Sequence, residues 1–185
     1  GAWESDSSLM RAGLGSGAVI ERLFIDRALR ALHFHGRRAV AWDTLTMAYP
    51  TPPPGTILLA HRPGDAGRRA AESSGAPWVL ADADILTLSH PGRVNNALEL
   101  GHTLPDRLTH ALRGERLKGV EAVASSSTIT TPDLLFYHLL PRLLVVAEAA
   151  WHGEKSLTWE KLAPLIEHEM AHLRRTVPYW NPQQP

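Results

Sequence analysis

The stretch Thr131–Trp151, TPDLLFYHLLPRLLVVAEAAW, decides the fold. It opens with helix-start chemistry: Thr131 can cap, Pro132 suits the first helical position, and Asp133 meets the positive end of the dipole. Behind it come Leu134, Leu135, Leu139, Leu140, Leu143, Leu144, Val145 and Val146, apolar on nearly every side of a helix. Such a helix is expected to be buried. Pro141 removes a hydrogen bond and crowds the preceding turn, so a kink is expected there. Just ahead, Gly119–Ser125 (GVEAVAS) is a run of small and branched residues that reads as a buried strand. Strand, polar loop and capped helix together make one β/α unit.

The same unit recurs upstream. Ser16 can cap a helix reaching about His35, with Val19, Ile20, Leu23, Phe24, Ala28, Leu29 and Leu32 at helical spacing, and Gly36 closes it. Arg38–Trp42 (RAVAW), Thr56–Ala60 (TILLA) and Pro77–Ala81 (PWVLA) read as three further strands. Pro50–Gly55 is a stiff connector that cannot belong to a central strand. Asp65 is expected to cap a short helix that Gly75 ends. The connection from Asp82 to Lys118 is long, with a possible helix over Leu104–Leu112, and connections of that length are often functional. Thr158 is expected to cap a last amphipathic helix to about Arg175. The whole reads as a single domain over 1–185, with an irregular lead-in at 1–15 and a proline-rich tail at 176–185.

Four apolar strands alternating with helices imply an α/β fold with a parallel sheet and right-handed crossovers. A closed barrel needs eight strands, so four make a half-barrel or a small open sheet. In a half-barrel, Val40, Leu58, Val79 and Val123 are expected to line an apolar inner face between two open edges.

Composition narrows the function. Lysine plus arginine equals aspartate plus glutamate, nineteen each, so the formal charge is zero. That balance argues against a nucleic-acid or membrane-surface protein. There is no cysteine, hence no disulfide and no thiol nucleophile. Neither a glycine-rich phosphate loop nor a nucleophile elbow is present, and no cofactor is implied.

The order RAVAWD, TILLA, PWVLA, GVEA and PRLLVVAEAAW resembles the second half of the glycoside hydrolase family 20 barrel, the β-N-acetylhexosaminidases. The specific motifs are Leu140–Trp151, similar to the family's barrel-closing helix, and His35–Asp43 (HGRRAVAWD), similar to its fifth strand. The resemblance implies strands five to eight of a TIM-type (β/α)8 barrel, with a C-terminal amphipathic helix. It also implies hydrolysis of terminal N-acetylhexosamine residues, in which the sugar's acetamido oxygen attacks and one glutamic acid protonates the leaving group.

Several positions depart from the family pattern. The adjacent Asp-Glu pair of the fourth strand has no counterpart in these residues, so the chain alone is expected not to be catalytic. Ser125, Ser126 and Ser127 stand where the family has a Trp-x-Glu element. His61 replaces a tryptophan wall residue, and Ile85 and Thr87 replace a tyrosine and an aspartate. Trp42 remains of the aromatic cage. The substrate-binding candidates are Trp42, Asp43, His61, Asp84, Ser125 and Ser127, with no catalytic and no metal-binding residue assigned. Asp43, Asp82 and Asp84 sit near strand C-termini, where barrel sites are built; loop solvation and helix capping are their plainer reading. Trp42 can stack on a sugar or fill the core, and the serines can bind a ligand or turn the chain.

The expected partners are an N-acetylhexosamine-type sugar and either an N-terminal half-barrel or a second copy. Two alternatives stand beside this. One is a non-catalytic relative that binds a sugar or a protein. The other is a zinc peptidase through His168-Glu169-Met170-Ala171-His172, an H-E-x-x-H helix motif with no His, Asp, Glu or Cys after it to supply a third ligand.

Overall fold

A computed structural model describes residues 6–13, 16–89, 101–104, 116–127 and 129–176. Four strands, β1 (Val40–Trp42), β2 (Ile57–Ala60), β3 (Trp78–Leu80) and β4 (Leu117–Val120), form one sheet in the order β1-β2-β3-β4. All three pairings are parallel. The helices are α1 (Ser7–Arg11), α2 (Gly17–Phe34), α3 (Leu45–Ala48), α4 (Ala66–Ser74), α5 (Pro132–Leu139), α6 (Arg142–His152) and α7 (Trp159–Thr176), with a further helical turn at 101–104. The fold is therefore α/β with parallel strands, as the alternating pattern implies. The tail beyond Thr176 and most of the Leu104–Leu112 helix expectation lie outside the described residues.

Local chemistry accounts for the helix ends. Ser16 accepts from the Val19 amide and Thr131 from the Leu134 amide, at 3.4 and 3.2 Å. Gly36 and Gly75 close α2 and α4 with φ of 64° and 73°. Pro141 does more than kink the long helix: α5 ends at Leu139, α6 starts at Arg142, and the axes bend by 48°. The resulting pair is buried on one face only. Val145, Val146 and Ala149 enter the core while Tyr137, Leu143 and Trp151 are exposed. Among the described residues no single helix is long and apolar enough to cross a membrane.

Other expectations need correction. The lead-in is not wholly irregular, because the Asp6 carboxylate accepts from the Ser8 amide at 2.8 Å and starts α1. Asp65 stands at the N-cap of α4 as expected, but with φ 64° and no side-chain capping bond; its carboxylate lies 3.6 Å from Arg68 Nε instead. β4 pairs over Leu117–Val120 rather than from Gly119 to Ser125, and Val123 makes only an isolated bridge to Thr87.

The sheet has one covered and one open face. Register aligns Ala41 with Leu58, Leu58 with Trp78, and Ala60 with Leu80. Leu58, Ala60, Trp78 and Leu80 are buried in one cluster with Val145 and Val146 of α6 and Leu162 and Ile166 of α7. Leu58 thus belongs to the covered face, not to the inner face with Val40 and Val79. The alternate residues Val40, Trp42, Ile57, Leu59 and Val79 form the other face, where Val40 is 60% and Trp42 43% exposed.

Candidate functional site

The candidate residues gather where the parallel strands end. Trp42 closes β1, His61 follows β2, Asp82 and Asp84 follow β3, and Ser125 and Ser127 follow the Val123 bridge beyond β4. This is the end at which parallel α/β folds build their sites, because the loops there are free to vary over a fixed sheet.

Trp42 pairs with Leu59, and His61 lies two residues further on, so both project from the open face. Their rings meet at 4.7 Å with a 50° tilt. His61 Nδ1 is 2.8 Å from the Ala81 carbonyl. A carbonyl only accepts, so Nδ1 carries the proton, and Nε2 has no hydrogen-bond partner among the described residues. The pair offers an exposed aromatic face next to one imidazole nitrogen. Such a surface suits the apolar face of a sugar ring with a hydroxyl at its edge.

Asp43 and Asp82 are buried and Asp84 is partly exposed, and all three accept backbone amides. Asp43 is fully buried; it accepts from the His61 amide at 2.9 Å and the Arg62 amide at 3.2 Å, and pairs with Arg62 Nε. Asp84 accepts from the Gly64 amide at 3.0 Å, and the Asp84 amide donates to buried Asp82 at 2.8 Å. These groups lash the loops after β1 and β3 to the loop after β2. Two of them thereby position the residues around His61. Such carboxylates hold loop geometry instead of facing a ligand.

Ser125 receives no such burial. Its amide donates to Ser89 Oγ at 2.8 Å, and its hydroxyl lies 2.9 Å from that of Ser127 in an exposed turn. The serines follow β4 while Trp42 ends β1, so the two groups lie at opposite sides of the sheet. Ile85 is buried, and Thr87 Oγ1 is buried with no partner among the described residues. His168, Glu169 and His172 are exposed along α7, and among the described residues no three His, Asp or Glu side chains converge into a metal-binding group.

Three residues of this framework were not singled out from sequence. Arg62 carries the charge opposite Asp43. Gly67 lets α4 press on the loop after β2: a β-carbon there would stand 2.8 Å from the amide nitrogens of His61 and Arg62. Arg142 is 4% exposed, and its guanidinium donates to the Leu88 carbonyl at 2.6 Å and to the His138 carbonyl. It ties the loop after β3 to the α5–α6 junction. An arginine inside an otherwise apolar run was the signal for it, since a buried charge requires partners.

Residues 2–154 match the sequence profile described as "Glycosyl hydrolase family 20, catalytic domain". No curated protein matches the sequence. Several solved structures share the fold. A β-N-acetylhexosaminidase is 19% identical with a TM-score of 0.69, over 96% of this chain and 40% of its own. The family 20 β-N-acetylhexosaminidase of Streptomyces coelicolor A3(2) is 22% identical with a TM-score of 0.72, over 89% of this chain and 37% of its own. A mutant β-hexosaminidase of Streptomyces plicatus in complex with product (GlcNAc) is 21% identical with a TM-score of 0.74, over 92% of this chain and 37% of its own. The chain spans about two fifths of the length of these structures.

Proposed function

The chain belongs to glycosyl hydrolase family 20, and from that membership we propose that it supplies the C-terminal half, strands five to eight, of a β-N-acetylhexosaminidase barrel. The observation that carries this reading is the Trp42–His61 pair, held on the open face at the C-terminal end of the sheet. In the completed barrel the sugar ring stacks on Trp42, and His61 Nε2 meets a hydroxyl at its rim. The acid that protonates the leaving group, and the carboxylate that orients the acetamido group, come from the other half. Asp43, Asp82 and Asp84 keep this wall rigid, which is the pre-organisation such a pocket needs.

Completion has a physical seat. Beside β1 the first strand edge is unpaired among the described residues, and a groove of 290 Å³ runs along it, lined by Phe24, Leu32, Val40 and Trp42 among others. Phe24 of α2, which lines it, is exposed. A further β/α unit laid there would continue the sheet and cover these side chains. The N-terminal half-barrel is the partner this favours; a second copy is the other.

A second reading, a non-catalytic sugar-binding relative, is favoured by Asp43 and Asp84 being engaged with backbone amides and by serines standing where the resemblance expects Trp-x-Glu. Both readings use Trp42. Millimolar N-acetylglucosamine should therefore change the tryptophan emission of the chain in a saturable way, and the change should vanish in Trp42→Ala. No saturable change, or one that persists in Trp42→Ala, would contradict both.

A further inference from the structure

At the opposite end of the sheet, where β1 and β2 begin, lies a cavity of 590 Å³ that the sugar site does not use. One wall is the end of α2 and the approach to β1, with Arg30, His33, Arg37 and Arg38; the floor is apolar, from Leu29 and Pro53 among others. Residues 27–38 hold four arginines, two histidines and no acidic residue, in a chain of zero formal charge. Asp26 is the acidic side chain in the lining, and its carboxylate already accepts from the Tyr49 hydroxyl. Among the described residues no carboxylate pairs with Arg30, Arg37 or Arg38.

Helix chemistry explains only part of this charge. Cations favour the negative end of a helix dipole, but the effect fades within the last turn. Arg37 and Arg38 lie beyond α2. The stem of Arg38 lies against the connector: a β-carbon on Gly55 would stand 3.3 Å from its Cδ, so the bare glycine leaves room for it. Phe34, 84% exposed, stands at the rim.

We propose that this cavity docks an acidic segment of a partner polypeptide, with carboxylates on Arg30, Arg37 and Arg38 and an apolar side chain seated on the floor. Guanidinium groups take carboxylates in a two-point fork, which gives both strength and orientation. The cavity itself presents Arg30, His33, Arg37 and Arg38, more cations than a small anion would use. The apolar floor and Phe34 add a demand that a plain polyanion does not meet. The cavity lies away from Trp42 and His61, but it shares Leu29, Leu32 and Ala39 with the groove beside β1, so it adjoins the seat proposed for the other half-barrel.

The test uses the full chain and a fluorescein-labelled peptide in which a Leu-Phe pair is flanked by glutamates, read by anisotropy. Saturable binding is expected, weakened about tenfold or more by Arg37→Glu/Arg38→Glu and several-fold by added salt. A peptide with Ser-Ser in place of Leu-Phe should bind several-fold more weakly, and its lysine counterpart not at all. If the double charge reversal loses the native far-ultraviolet spectrum, Arg30→Gln carries the test, with a several-fold loss expected. Unchanged affinity in the folded variants, or equal affinity for the Ser-Ser peptide or for polyglutamate, overturns the proposal.

Discussion

His138, 5% exposed at the end of α5, shows how burial at one residue becomes a pH dependence of the whole protein. Burial first, and the nearby Arg142 charge second, hold its imidazole below the ordinary 6.5. The unfolded chain therefore takes up this proton first as pH falls below 6.5, so stability is full above that value and declines below it. The melting temperature should drop between neutral and mildly acidic pH, and His138→Gln should drop less. Equal drops in the two proteins would rule out this account. Residues differ in how legible their positions are. The places of Trp42 and His61 could be read because they stand at the ends of recognisable strands, and parity carries them to one face. The duty of Asp43 could not be read, because its partners are backbone amides eighteen and nineteen positions away. Nothing local to Asp43 distinguishes that burial from a solvated loop.

At the scale of elements, local chemistry was readable and register was not. Ser16, Thr131, Gly36 and Gly75 mark helix ends through their own side chains or backbone freedom, and each does so in the structure. The run Ile57–Ala60 is apolar throughout, so it carries no alternation to say which side chains face which way; Leu58 was misassigned for that reason. The start of β4 was missed because Lys118 interrupts the apolar pattern; it falls at a bulge, with Leu117 opposite Trp78 and Gly119 opposite Val79. Close packing between elements is hidden too. Gly67→Ala should cost about 1–3 kcal/mol, because backbone nitrogens of the His61 loop cannot retreat from a new methyl group. Denaturant unfolding measures it, and an unchanged midpoint would mean that α4 and this loop separate freely.

The molecule as a whole carries an unsatisfied face. Val40 and Trp42 are exposed on the open side of the sheet, and the exposed Phe24 of α2 lines the same groove. The described part of the long connection does not cover them: Leu104 is buried, and Gly101 packs on Trp159 at the start of α7. Covering even about 600 Å² of apolar surface at ~25 cal/mol per Å² is worth about 15 kcal/mol before association costs, comparable to a whole domain's net stability. The chain should therefore associate at micromolar concentration in light scattering; a lone monomer with a cooperative melt would contradict the half-barrel. The most direct measurement of the central claim is hydrolysis of an aryl N-acetyl-β-glucosaminide by the purified chain, alone and joined to the N-terminal half of a family 20 barrel. No turnover above the buffer blank is expected from the chain alone, and turnover sensitive to Trp42→Ala once the other half is present. Turnover by the chain alone, lost in Asp84→Asn, would contradict it.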